Sequence, residues 1–97
     1  MSYTNKTMVV YGIANGDLDF VDPDDAEMFE SDGECGEIIS FTDVMGNCIA
    51  VGIEVDSVEE DSCKELMLSN LKQAAEIMKE LVHNHEDCKV LLVNHTL

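Results

Sequence analysis

The aspartates and glutamates of this chain are numerous and closely spaced enough for their carboxylates to form a functional site. Ten of the 21 residues in the segment 17–37 are acidic, and no basic side chain lies between Lys6 and Lys64 to neutralise them. Like charges this close repel one another and lower the stability of the free protein. The acidic segment, as we call residues 17–37, therefore indicates a surface for a cationic partner, with a solvated loop as the alternative. Its acids are Asp17, Asp19, Asp22, Asp24, Asp25, Glu27, Glu30, Asp32, Glu34 and Glu37.

A second group of acids lies further along the chain, and we call it the second acidic cluster. In contrast, residues 62–82 hold three lysines and three glutamates and are locally neutral. The excess negative charge is therefore expected on only part of the molecule. The second acidic cluster consists of Glu54, Asp56, Glu59, Glu60 and Asp61.

The overall charge limits the kinds of partner. The 97-residue chain has a net charge of −16 and no arginine. Nucleic acid and anionic membrane surfaces are bound through Lys and Arg, so the composition argues against both as direct ligands. A basic protein surface, a metal cation or solvent alone remains. Hydrophobic residues make up 45% of the chain, which predicts one domain over 1–97 with its own core.

The motifs of common enzymes are missing. The chain has no G-x-S-x-G, no H-E-x-x-H and no glycine-rich phosphate loop. Its carboxylates fall in a polar run, whereas a general acid needs an apolar pocket that shifts its pKa. A nucleophile could be drawn from Cys63 or Cys88 with His83, but no pattern selects it. The sequence therefore predicts a protein that is not an enzyme and has no cofactor.

Two metals have partial motifs. Counted from Asp22, an EF-hand loop would need Gly at its sixth position and Glu at its twelfth, where the chain has Glu27 and Gly33. The metal candidates for zinc are His83, His85 and Cys88, with His95 nearby, but their spacing does not match a structural zinc finger. A metal-binding protein using these three residues is one alternative function.

The location is predicted from what the chain does not contain. The amino terminus has no pattern of a secretory signal, and no segment approaches the roughly 20 apolar residues of a membrane span. The four cysteines, Cys35, Cys48, Cys63 and Cys88, include no C-x-x-C pair. They are expected to be reduced thiols in a cytoplasmic protein, with some of them packed as small apolar groups.

Local patterns predict the first half of the fold. Residues 7–14 are rich in β-branched and aromatic types and predict a strand, with Met8 and Val10 on one face. Within the acidic segment, Asp22 as N-cap, Pro23 at the first helical position and an end at Ser31-Asp32-Gly33 predict a short helix of about two turns. Residues 37–44 and 48–55 predict a hairpin.

The faces of this hairpin follow from alternation along each arm. Ile39 and Phe41 are expected to share one apolar face with Val51 and Ile53. The opposite face, which includes Gly52, is small and largely uncharged, and would suit pairing with a second subunit.

A long helix is predicted over about 58–85. Apolar residues recur there at helical spacing, and Ser62 with Glu65, or Ser57 with Glu60, fits a capping box. Residues 89–94 predict a last strand. The order of elements indicates an α+β fold, a mostly antiparallel sheet with the long helix on one face and a short acidic helix or loop after the first strand.

A folded frame that carries many acids and few bases can present charge as densely as duplex DNA, which has one charge per about 1.7 Å of its axis. In this respect the chain resembles the DNA-mimic inhibitors of phages and other mobile elements, a functional class of unrelated folds. The resemblance rests on the residues 17–37 and 54–61. The ten acids of the acidic segment would stand in for phosphates, and the second acidic cluster would extend the array if the fold brings it to the same side. Phe20, Met28 or Phe29 would add an apolar anchor.

The resemblance implies a small cytoplasmic binding protein, often a homodimer, that occupies the DNA-binding surface of a basic host protein. Nucleoid proteins of the HU type, restriction enzymes and CRISPR effectors are such targets. The alternative from another class is a small acidic adaptor whose partner binds the hairpin or a sheet edge, with acidity serving only solubility.

Overall fold

The β-branched run near the amino terminus forms an interior strand of a five-stranded sheet. The computed structural model describes residues 5–59 and 61–96. Its strands are β1 (Asn5–Ala14), β2 (Glu34–Cys35), β3 (Ile38–Thr42), β4 (Cys48–Glu59) and β5 (Lys89–Thr96), and its helices are α1 (Pro23–Asp32) and α2 (Leu68–Leu81). The strand order is β2-β3-β4-β1-β5 and every pairing is antiparallel. The predicted α+β class is confirmed. Within the described residues no helix is long and apolar enough to cross a membrane.

The short acidic helix begins at the predicted residue and ends within the predicted stretch 31–33. Asp22 has extended backbone angles and its carboxylate accepts a 2.9 Å hydrogen bond from the Asp24 N–H. Pro23 occupies the first helical position, where its missing N–H costs nothing. Gly33 follows the last residue with φ 74°, and its N–H donates to the Phe29 carbonyl at 2.8 Å. Local capping chemistry therefore determines α1.

The predicted helix over 58–85 is wrong in its bounds, because α2 covers only Leu68–Leu81. Strand β4 continues to Glu59, where it pairs with Lys6 of β1. The predicted capping residues do not start a helix: Ser57 lies opposite Met8 within β4, and the Ser62 hydroxyl donates to the Glu59 carbonyl at 2.6 Å. Helix α2 begins after Met67 without a side-chain cap. Pairing with a distant strand has outweighed the local helix signals.

The predicted arrangement of the hairpin faces is also wrong. The two arms form, but Ile39 lies opposite Gly52 and Phe41 opposite Ala50. The register shifts between Phe41 and Thr42, which leaves Ile49 as an extra residue on β4. Because side chains alternate with a period of two, one inserted residue moves the following apolar set to the other face.

The sheet consequently carries an apolar cluster on each face. The first lies beneath the helices and is built from Phe20, Cys35, Ile38, Ile53, Ala74, Met78, Val82 and Cys88. The second consists of strand residues alone, namely Met8, Val10, Phe41, Ala50 and Val93. The hairpin face that was expected to be small and to suit pairing with a second subunit is thus part of a second core. Met8 and Val10 share a face, as predicted.

A pair of glycines joins the two central strands. Gly12 of β1 and Gly52 of β4 are register partners, and both are buried. A Cβ placed on Gly12 would overlap the Val51 carbonyl, and one on Gly52 would overlap the Tyr11 carbonyl. Backbone atoms of a paired strand cannot rotate aside as a flexible side chain can. The two strands can approach this closely only because both residues are glycine.

We predict that Gly52→Ala lowers the free energy of unfolding by about 2–3 kcal/mol, the usual cost of overpacking a rigid site. Urea denaturation measures this change through the midpoint at constant slope. Ser57→Ala, on the same strand, is the control and should change stability by no more than about 0.5 kcal/mol. A Gly52→Ala protein as stable as the control would show that β1 and β4 can separate without penalty.

Candidate functional site: the acidic surface

The ten acids of the acidic segment are displayed almost completely. Nine of them are exposed, and Asp25 is half-buried. Among the described residues the one salt bridge joins Lys64 to Asp56, so none of these ten carboxylates is paired with a cation there. Helix α1 has no basic residue in its last turn to balance its acids. The segment therefore presents uncompensated negative charge to solvent.

Helix α1 is attached to the core by one side only. None of its residues is fully buried, but Ala26 and Phe29 pack against the cluster beneath the helices. The rings of Phe29 and Phe20 lie 5.3 Å apart between centroids at an interplanar angle of 45°, within the range of favourable aromatic pairs. The acids occupy the rest of the helix circumference. Of the three predicted apolar anchors, Met28 is the exposed one, whereas Phe20 is buried and Phe29 half-buried.

The loop before α1 is held in place by the turn that follows α2. The Asn84 side chain accepts a 2.9 Å hydrogen bond from the Asp19 N–H and donates a 3.0 Å bond to the Asp17 carbonyl. The His83 N–H donates to the Asp19 carbonyl at 2.7 Å, and the Val21 N–H donates to the Leu81 carbonyl at 2.9 Å. These bonds use the main chain of the loop and leave the Asp17 and Asp19 carboxylates exposed.

Sequence reasoning missed this role of Asn84. The residue stands inside the histidine-rich run that suggested zinc, and only the fold shows that it faces a loop 65 residues away. An amide carries both donor and acceptor groups, so it can bind two main-chain groups at once. Asn between two histidines gives no local sign of such a contact.

The second acidic cluster is only partly available to a partner. Glu54, Glu59 and Asp61 are exposed, whereas Asp56 is half-buried and bound to Lys64. The Lys64 ammonium donates a hydrogen bond to the Asp56 carboxylate, and the Ser57 N–H donates a further one. Both bonds, the first more strongly, lower the pKa of the Asp56 carboxyl. Asp56 is therefore an internal ion-pair partner rather than a free charge. Glu60 lies outside the described residues.

The two acidic groups meet beside α2. Glu37, at the end of the acidic segment, and Glu54, at the start of the second cluster, line the same surface cleft of about 140 Å³. Asn70 and Gln73 of α2 form its polar wall. Glu37 and Glu54 are thus the members of the two groups that line a common cleft, whereas Glu59 lines a separate one further along β4.

The predicted metal candidates are spread over different environments. His83 is exposed, His85 half-buried and Cys88 buried. No group of three or more His, Cys, Asp or Glu side chains that could hold a metal occurs among the described residues. Burial, with a smaller effect of the Asp87 charge, raises the pKa of the Cys88 thiol, so this thiol is neutral at physiological pH and a poor nucleophile.

The other cysteines carry no disulfide either. All four are free, with Cys35 and Cys88 buried and Cys48 and Cys63 exposed. Burial, and next the nearby Asp25 charge, raises the pKa of the Cys35 thiol. Cys35 and Cys88 therefore act as small apolar packing groups, as the sequence indicated.

Comparison of the chain with protein-family models, with curated proteins and with solved structures finds no match. The class that fold and surface define is an α+β domain with a segment of exposed, uncompensated acids. Its function is inferred from this face alone.

We predict that Asn84→Ala lowers the free energy of unfolding by about 1–2 kcal/mol, because two main-chain groups lose their partner. Amide exchange of Asp19 should accelerate, while exchange in β3 stays unchanged. Asn70→Ala, at an exposed position of α2 with no side-chain hydrogen bond among those described, is the matched control. Unaltered exchange at Asp19 in Asn84→Ala would mean that Asn84 does not hold the loop.

Proposed function

We propose that the protein is a non-enzymatic DNA mimic that binds the DNA-binding surface of a basic cytoplasmic protein. The observation that carries this proposal is the charge spacing along α1. Six carboxylates follow one another from Asp22 to Asp32. At about 1.5 Å of rise per residue they span roughly 15 Å, or about one charge every 3 Å. Successive phosphates of one DNA strand are about 3.4 Å apart along the axis.

The rigidity of the support also favours mimicry. A basic protein that binds duplex DNA has its lysines and arginines spaced for a fixed array of phosphates, so a decoy gains most if its charges are also held in place. Helix α1 is capped at both ends, and Asn84 fixes the loop that carries Asp17 and Asp19. The cleft between Glu37 and Glu54 extends the array towards β4.

Met28 adds a specific contact to this charged surface. Its side chain is 48% exposed on α1, among the carboxylates. Exposed apolar residues inside a polar contact area commonly become buried anchors when a partner binds. The partner surface we propose is therefore basic with an apolar depression, and nucleoid proteins of the HU type, restriction enzymes and CRISPR effectors are the candidate classes of partner.

The alternative is an acidic adaptor that binds through a sheet edge, with the acids serving only solubility. The two functions differ in the effect of salt. Contacts between exposed charges weaken as salt rises, whereas strand pairing and apolar contacts do not. Competition by duplex DNA separates them as well, since only a mimic shares its binding surface with DNA.

We predict that neutralising four exposed acids of α1 weakens partner binding by about 2–4 kcal/mol, roughly 30- to 1,000-fold, at about 0.5–1 kcal/mol per exposed ion pair. The variant carries Asp24→Asn, Glu27→Gln, Glu30→Gln and Asp32→Asn, and keeps the capping Asp22. Its fold should be as stable as the parent or more stable, because repulsion within α1 falls.

The matched control removes four exposed acids elsewhere, at Glu65, Glu76, Glu80 and Glu86, each replaced by Gln. Partners are captured from a bacterial lysate cleared of nucleic acid, and their affinity for both variants is measured with and without duplex DNA. Equal affinities for the two variants, or a complex that DNA does not displace, would reject mimicry and leave the adaptor.

A further inference from the structure

The outer edge of β5 is the longest sheet edge of the described fold. In the strand order β2-β3-β4-β1-β5, strand β5 has β1 on one side and no strand on the other. It contributes eight residues, whereas β2 at the opposite edge contributes only two. An exposed edge of this length presents unpaired N–H and C=O groups, and proteins normally shorten, charge or cover such an edge.

Two large apolar side chains stand beside this edge. Val90 is 48% exposed and Leu92 is 76% exposed. They lie opposite Tyr11 and Val9 of β1, on the face of the sheet that carries the helices. Helix α2 packs over β4 and β1 and leaves these two residues uncovered. The edge therefore offers both main-chain hydrogen bonds and an apolar contact.

The charge of the edge indicates which partner it fits. The net charge of the chain is −16, yet no aspartate or glutamate occurs in residues 88–97. Lys89 is the one lysine in that stretch, which has no arginine. Two copies of so acidic a protein repel each other on most approaches. When two β5 strands pair, no carboxylate of one strand lies opposite a carboxylate of the other, because the strand contains none.

We propose that two copies of this chain form a homodimer by antiparallel pairing of their β5 strands, which makes one ten-stranded sheet. The two-fold axis passes near Leu92, so that the same surface of each copy meets itself. Val90 and Leu92 of both copies then form a shared apolar cluster beside the α2 helices. Glu86 and Asp87, which precede the strand, fall outside the paired segment.

This arrangement also keeps the two α1 helices far apart. Helix α1 contacts β2, at the sheet edge opposite β5. With strands about 4.8 Å apart, nine spacings put the two β2 strands roughly 43 Å apart across the joined sheet. Repulsion between exposed charges is largely screened beyond about 8 Å at physiological salt. The inference does not depend on the proposed DNA mimicry.

The test measures molar mass by size-exclusion chromatography with light scattering, on the full chain over a wide concentration range. We expect twice the 10.7 kDa chain mass at high concentration. The dimer should tighten as salt rises, the opposite of the salt effect expected for a charge-mimicry complex. Leu92→Glu should weaken the dimer by about 100-fold or more, because it removes apolar contact and places two charges at the axis.

Val44→Glu is the matched control, since Val44 is 84% exposed in the hairpin turn, away from β5. It should dimerise like the parent, and circular dichroism should show both variants folded. Amide exchange of β5 should slow as the parent is concentrated. A monomer at every concentration, or a dimer that Leu92→Glu leaves intact, would overturn the proposal, as would a β5 edge that pairs with added peptides but never with itself.

Discussion

The pairing of β1 with β4 is the interaction on which the rest of the molecule depends. It runs from Lys6 opposite Glu59 to Ala14 opposite Ala50, across the centre of the sheet. Side chains from these two strands enter both apolar clusters, so the pairing holds the helix layer and the strand-only core together. The facing glycines, Gly12 and Gly52, allow the close approach. Because β4 remains paired to its end, the chain from 61 to 67 becomes a connection rather than the first turns of α2.

The acidic surface is organised by neutral groups. Charged side chains cannot be packed inwards in this segment without a cation, because burying an unpaired charge is costly. The structure holds the segment instead by an aromatic pair, Phe20 with Phe29, and by hydrogen bonds between the Asn84 side chain and the main chain. The carboxylates themselves make few internal contacts. Their repulsion is tolerated because the fixing interactions do not use them.

Local chemistry explains which elements could be predicted from the sequence. Helix α1 is determined by Asp22, Pro23 and Gly33 within the segment itself, and β1 by its own run of β-branched residues. The start of α2 could not be predicted in this way, because the partner of Val58 is Thr7, some 50 residues earlier. The hairpin arms were predictable but their facing was not, since a single extra residue at Ile49 decides it.

The same distinction applies to the site. Exposure of the acids followed from their density, because a core cannot accept ten unpaired carboxylates. The pairing of Asp56 with Lys64 and the loss of this acid from the surface depend on how the chain turns after β4. The contact of Asn84 depends on the packing of two loops 65 residues apart. Short-range signals therefore located the charge, while long-range contacts decide which charges are free.

The distribution of charge across the sheet means that its two edges can bind different kinds of partner. At the β2 edge, α1 carries exposed carboxylates that no described cation pairs with, so close approach is favourable only for a cationic surface. At the β5 edge the strand carries no acid, and hydrogen-bonding groups and apolar side chains are available. Because screening confines each field to about one Debye length, roughly 8 Å, the acidic edge does not impose its repulsion on the neutral one. A chain of extreme charge can thus keep one edge for an oppositely charged partner and another for a copy of itself.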